Sequence, residues 1–165
     1  MAFQIVEPVI GAQLIADTST TKHHPLGTIV KARDTTLGEG EFIYLLGVTG
    51  TIIGSIVNFD NAFQSALDTG AVTGPTTSVA IAMSANVGSA YGWYQIAGMA
   101  VAKKASATTF ADGAGLGSAS GLAVAVATGT QLQAAVVRTA TTTTGAAANY
   151  VAIAINRPHN TSDVS

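Results

Sequence analysis

Three times in this chain a large apolar residue alternates with alanine: Val79-Ala-Ile81-Ala-Met83, Leu122-Ala-Val124-Ala-Val126 and Val151-Ala-Ile153-Ala-Ile155. A period of two is the signature of a β-strand, whose successive side chains leave opposite faces. The large residues define one face, which is expected to fill a core. The alanines define the other, which admits a second backbone closely, from another layer or from a neighbouring subunit. The spacings between the three copies differ, so the chain is not a solenoid. Short regular strands separated by glycine-rich turns predict an all-β fold, a single β-sandwich or barrel-like domain.

The central stretch, residues 78–104, carries the chain's one tryptophan, Trp93, with Tyr91, Tyr94, Met83 and Met99. It reads as two strands joined near residues 86–89. In the second strand Trp93, Gln95, Ala97, Met99 and Val101 share one face; Tyr94, Ile96, Gly98, Ala100 and Ala102 share the other. Both faces are largely apolar, so this strand is expected to be covered on both sides.

Further strands are expected at residues 27–32, 41–48, 51–59 (with a bulge at Gly54), 122–127 and 150–156. Residues 60–68 suit one or two helical turns capped by Asp60, or a loop. Residues 131–139 suit a strand or a short helix. Long Gly/Ala/Thr-rich loops are expected at residues 69–77, 105–121 and 139–148. Residues 1–25 form an N-terminal arm or strap, 26–157 the β-rich domain, and 158–165 a polar C-terminal tail.

Only 10% of the residues are charged, against about 25% in an ordinary domain. Such a chain covers its surface with Ser, Thr, Gly and Ala, or with other subunits. A net charge of −2 gives no electrostatic footprint for nucleic acid. Without cysteine, disulfides and thiolate metal sites are excluded. No run approaches the length of a membrane span, and the N-terminus lacks the basic region of a signal peptide. The protein is therefore expected to be made inside a cell, with no membrane partner.

Candidate chemistry is thin. His23, His24 and His159 would have to converge with a fourth ligand to hold zinc; adjacent histidines on an extended chain point opposite ways, and exposed polar residues are expected instead. Asp34, Glu39 and Glu41 lack calcium-loop spacing and read as a solvated turn, with a salt contact to Arg33 or a partner as the variant. The glycine run at residues 113–121 lacks the Lys-Ser/Thr end of a phosphate loop. No GxSxG motif marks a nucleophilic serine. Tyr91 and Trp93 share a face, whereas Tyr94 turns away, so core or subunit-interface aromatics are favoured over a stacking platform. No enzyme activity, cofactor or metal is expected.

The order GTIVKARD, EFIYLLGV, GSIVNFD, VAIAMSANVGSAYGWYQIAGMAVAKK and terminal YVAIAINRP resembles the capsid decoration, or cement, proteins of tailed bacteriophages, over roughly residues 27–157. AYGWYQIAGMAVAK is its most specific element. The resemblance implies an all-β virion protein, made in the host cytoplasm, that sits on the capsid exterior and stabilises contacts between major capsid subunits. Its partners would be the major capsid protein and itself, as a homotrimer or a dimer. Phe3, Ile5, Val6, Val9 and Ile10 of the arm would make the capsid contact, and removing residues 1–15 would leave a folded protein that no longer decorates heads. Glu41, Phe42, Tyr91, Trp93, Lys103 and Arg157 are expected as further subunit or capsid contacts. The resemblance brings no catalytic residues. The alternative is a carbohydrate-binding β-sandwich, fibre- or adhesin-like, using Tyr91 and Trp93.

Overall fold

A computed structural model describes residues 3–6, 13–70, 77–86, 88–127, 131–138 and 149–160. Among these the order of elements is β1 (Gln4–Ile5), β2 (Thr18–Ser19), β3 (Ile29–Asp34), β4 (Gly38–Leu46), β5 (Ile56–Phe59), β6 (Ser65–Leu67), β7 (Ser78–Ala82), β8 (Tyr91–Lys103), β9 (Gly117–Ala119), β10 (Leu122–Val124), β11 (Leu132–Val137) and β12 (Tyr150–Asn160). The fold is all-β, an antiparallel sheet curled into a half-barrel. Its path runs β1-β3-β4-β8-β12-β7-β5-β6, with β11 on β12 and β2 on β8.

β8 is the axis. One edge pairs with β4 over Leu46↔Tyr91 to Gly40↔Gly98. The other edge is shared in succession by β2, β7 and β12. Its two faces are both covered, as the alternation predicts. Trp93 and Val101 pack with Phe42, Tyr44, Val30, Phe3 and Ile15. Tyr94 and Ile96 pack with Ile43, Leu45, Val57, Ala80 and Ala82 inside the curl. Ala100 and Ala102 belong to a third cluster built on Ile81, Leu116, Leu132, Ile153 and Ile155. The Leu46 N–H donates to the Phe63 carbonyl at 3.1 Å, tying β4 to the β5–β6 turn and narrowing the opening of the curl.

Inside that curl the Tyr94 hydroxyl lies 3.3 Å from Ser65 Oγ. The Asn86 amide, oriented by its neighbours, accepts from the Tyr94 hydroxyl at 3.0 Å and the Gly92 N–H and donates to the Ala90 carbonyl. Burial raises the Tyr94 phenol above its ordinary pKa. A second buried polar knot joins distant elements. The Asp68 carboxylate accepts from Ser118 Oγ, from the Asn160 amide at 2.8 Å and from the Gly70 N–H, so both of its oxygens have partners.

Four local expectations are corrected. Residues 60–68 form no helix: Asp60 Oδ1 accepts from the Ala62 and Gln64 N–H groups in a tight turn, after which β6 returns along β5. The strand expected at residues 51–59 begins only at Ile56. In the second alternating copy the faces are reversed, with Ala123 buried, Leu122 and Val124 half-buried and Val126 exposed. β9 and β10 form a hairpin whose turn, Ser120–Gly121, has positive φ at both positions; that geometry matches strand twist and sets which face turns inward. Finally, residues 158–160 belong to β12 and not to a polar tail. The loop expected at residues 139–148 lies outside the described residues, as do residues 71–76 of the loop at 69–77.

Candidate functional site

Two irregularities in the sheet build one surface. In β4–β8 the register steps between Glu41↔Ala97 and Phe42↔Gln95, leaving Ile96 as an extra residue. In β11–β12 it steps from Gln133↔His159 to Ala135↔Ile155, so Asn156, Arg157 and Pro158 stand opposite Ala134 alone. Arg157 has φ 52 and Ala134 φ 55, a left-handed backbone that side chains rarely adopt. Pro158, which has no N–H to lose, is tolerated at such a bulge.

The bulge carries Arg157 across to β4. Its Nη2 donates to Glu41 Oε2 at 2.9 Å, with side chains 63% and 28% exposed respectively. Lys31 stands directly opposite Glu41, and Arg33 opposite Glu39, so opposite charges face one another across β3 and β4. Lys31, Glu39, Glu41, Asn156 and Arg157 surround a groove of about 290 Å³ floored by Gly40, Ala97 and Gly98. Arg157 and Pro158 also border a smaller apolar pocket of about 160 Å³ with Ile29, Ile43, Phe59, Val79 and Ile96. Ile29 is exposed at its rim. The arrangement is an ionic groove beside an apolar socket.

An ion pair this exposed contributes little to stability. We expect Glu41→Ala and Arg157→Ala each to change the unfolding free energy by less than about 1 kcal/mol. Urea titration checks this, and a cost of several kcal/mol at either position would mean the pair is structural.

The expected contact residues divide. Glu41 and Arg157 come together in the groove. Val6 is exposed and Ile5 half-buried against β3; Val9 and Ile10 lie outside the described residues. Lys103 faces Tyr150 across β8–β12, its Nζ 6.0 Å from the ring centre. Tyr91 is half-buried and stacked on Tyr44 at 6.2 Å. Phe3, Phe42 and Trp93 are corrected: all three are buried within their own chain. Trp93 Nε1 donates to the Gln13 carbonyl at 2.9 Å, so the indole has no free face to stack on a sugar.

His24 is also corrected. It is buried beneath residues 13–15, against the rings of Tyr44 and Trp93. His159 sits in β12, opposite Gln133 and Ser78. Among the described residues no group of three potential metal ligands converges. Nothing local in the sequence marked Gln13 or Asp68, or His24 as a buried acceptor, because their partners are far away along the chain. No family model, no curated protein and no solved structure matches this chain.

Proposed function

We propose that this chain is a structural virion protein, a decoration protein that binds the outside of a tailed-phage head and bridges major capsid subunits. The observation that carries the reading, beside the resemblance in the strand order, is the way the N-terminal segment is held. Phe3 and Ile15 are buried in the chain's own core, whereas Val6 and Leu14 are 53% and 66% exposed. A segment pinned near both ends and carrying bare apolar side chains suits docking on another protein. Each such residue gains about 1.5–3 kcal/mol when fully covered. The groove at Arg157 and the socket at Ile29 offer a second contact.

Decoration works by mass action: binding the assembled shell in preference to free subunits stabilises the shell. An oligomer of this chain gripping several subunits multiplies weak contacts. Light scattering of the free protein measures that oligomer.

The structure changes which variant tests the arm. Removing residues 1–15 also removes Phe3 and Ile15 from the core and the hydrogen bonds of Gln13 to Trp93 and Tyr44, so truncation confounds folding with binding. Val6→Asp and Leu14→Asp alter exposed side chains only and are expected to leave stability within about 0.5 kcal/mol. Mixed with undecorated heads and sedimented, each variant is expected to bind at least about tenfold more weakly, the equivalent of about 1.4 kcal/mol. Wild-type occupancy by both variants would sink the reading of the arm. Failure of the wild-type protein to sediment with heads would sink the capsid reading.

A further inference from the structure

Gln13 is a hub in which every polar atom is engaged. Its backbone N–H donates to His24 Nε2 at 3.2 Å, and its carbonyl accepts from Trp93 Nε1 at 2.9 Å. Its side-chain oxygen accepts from the Tyr44 hydroxyl at 2.9 Å. Its amide nitrogen donates to the carbonyls of Tyr91, at 3.2 Å, and Asp17, at 2.6 Å. This one residue holds the strap of residues 13–19 onto β4 and β8, beside the short pairing of Thr18 and Ser19 with Gly92 and Tyr91.

One of those bonds depends on protonation state. A nitrogen that accepts from an N–H must carry a lone pair, so His24 is the neutral tautomer with its proton on Nδ1. The ring is buried, 5.1 Å from the Tyr44 ring and 5.3 Å from that of Trp93. The titratable groups set around it are the Tyr44 phenol from β4, the Tyr91 phenol of β8 stacked behind Tyr44, and His23 and Lys22 on its own segment. Asp17 meets the hub through its backbone carbonyl. None of these contacts supplies an anion to an imidazolium.

We infer that His24 is an acid-operated latch on the N-terminal strap: a proton on Nε2 sets two donors against each other at Gln13 and releases residues 13–19 from β4 and β8. The latch does not depend on the capsid reading, although the strap it holds is the segment that displays Leu14. Burial first, and the neighbouring His23 second, lower the pKa of His24 below its ordinary 6.5. The sign follows from linkage. The released chain takes up its proton nearer 6.5 and the latched chain only below that. The latch is therefore whole above about pH 6.5 and is lost as pH falls toward the folded-state value.

Hydrogen exchange of the full chain, followed by mass spectrometry and corrected for the intrinsic rate, tests the latch between pH 7.5 and 5. Protection of residues 13–19 is expected to fall about tenfold per pH unit at the acid end, the slope of one proton, while the β8–β12 ladder stays protected. Emission of the chain's one tryptophan, Trp93, is expected to shift over the same range. His24→Gln keeps an acceptor that does not titrate and is expected to flatten the response; His23→Gln removes the neighbouring charge and is expected to keep the response but move it to higher pH. A flat wild-type response, or an unchanged one in His24→Gln, overturns the latch. Should His24→Gln not fold, imidazole nitrogen shifts of the wild type decide. An unprotonated Nε2 at pH 7 and a His24 pKa below its ordinary value support the latch; a proton on Nε2 at pH 7 overturns it.

Discussion

Replacing Trp93 by alanine is expected to cost about 3–5 kcal/mol, the range for emptying a large aromatic site in a core. That is a large share of the about 5–15 kcal/mol that holds a domain folded. Trp93 is fully buried on the central strand. Its ring lies 4.9 Å from Tyr44, and its N–H donates to the Gln13 carbonyl at 2.9 Å. The cavity and the lost donor to the Gln13 carbonyl both contribute to that cost. Trp93→Phe separates the two terms: most packing stays, the donor goes, and the expected cost falls to about 1–3 kcal/mol. Urea unfolding followed by circular dichroism reads both. A Trp93→Ala protein within 1 kcal/mol of wild type would show that Trp93 is not the keystone of this face.

Gly98→Ala is expected to destabilise by at least about 2 kcal/mol, from the left-handed backbone penalty and a steric conflict acting together. Gly98 has φ +99, and a Cβ there would run into the Glu39 carbonyl and lie 3.0 Å from Gly40 Cα. Both obstacles are backbone, so relief requires β4 to move away from β8. That movement carries Glu41 away from Arg157 and opens the groove. Gly38 is the internal control: its φ is +77 and its Cβ site is empty. Gly38→Ala is therefore expected to show strain alone, about 1 kcal/mol. Equal costs at the two glycines would mean that the β4–β8 approach is slack and the groove is not held by it.

Much of this architecture was legible because alternation is a local property. The strands expected at residues 27–32, 41–48 and 150–156 and the pair expected within 78–104 are found from period alone, although residues 33–34 and 38–40, read as turn, extend β3 and β4, and the two apolar faces of β8 announce cover on both sides. Where the pattern misled, a local signal was overruled by pairing. Asp60 looks like a helix cap, yet its carboxylate satisfies a turn whose following residues find β5. The Leu122 copy looks like the other two, yet Ser120–Gly121 turns it over. Arg157-Pro158 looks like the start of a tail, yet β11 keeps β12 in the sheet to Asn160.

The site was legible only in part. Glu41 and Arg157 were expected as contacts, each on its own, but they stand 116 residues apart and only the double bulge joins them. Trp93 and Phe42 are the same kind of residue whether they lie in a core or an interface, so composition does not separate the two. His24 reads as a polar residue beside a proline, and only the return of Gln13 makes it a buried acceptor. By itself the sequence determined where most strands lie, which faces of the central strand are apolar, and that charge is scarce. The tertiary structure alone decided which edges meet, which aromatics are sealed, and where Arg157 and His24 find their partners. The physical reason is range: side-chain alternation is set by neighbouring residues, whereas burial and pairing are set by strands brought together from opposite ends of the chain.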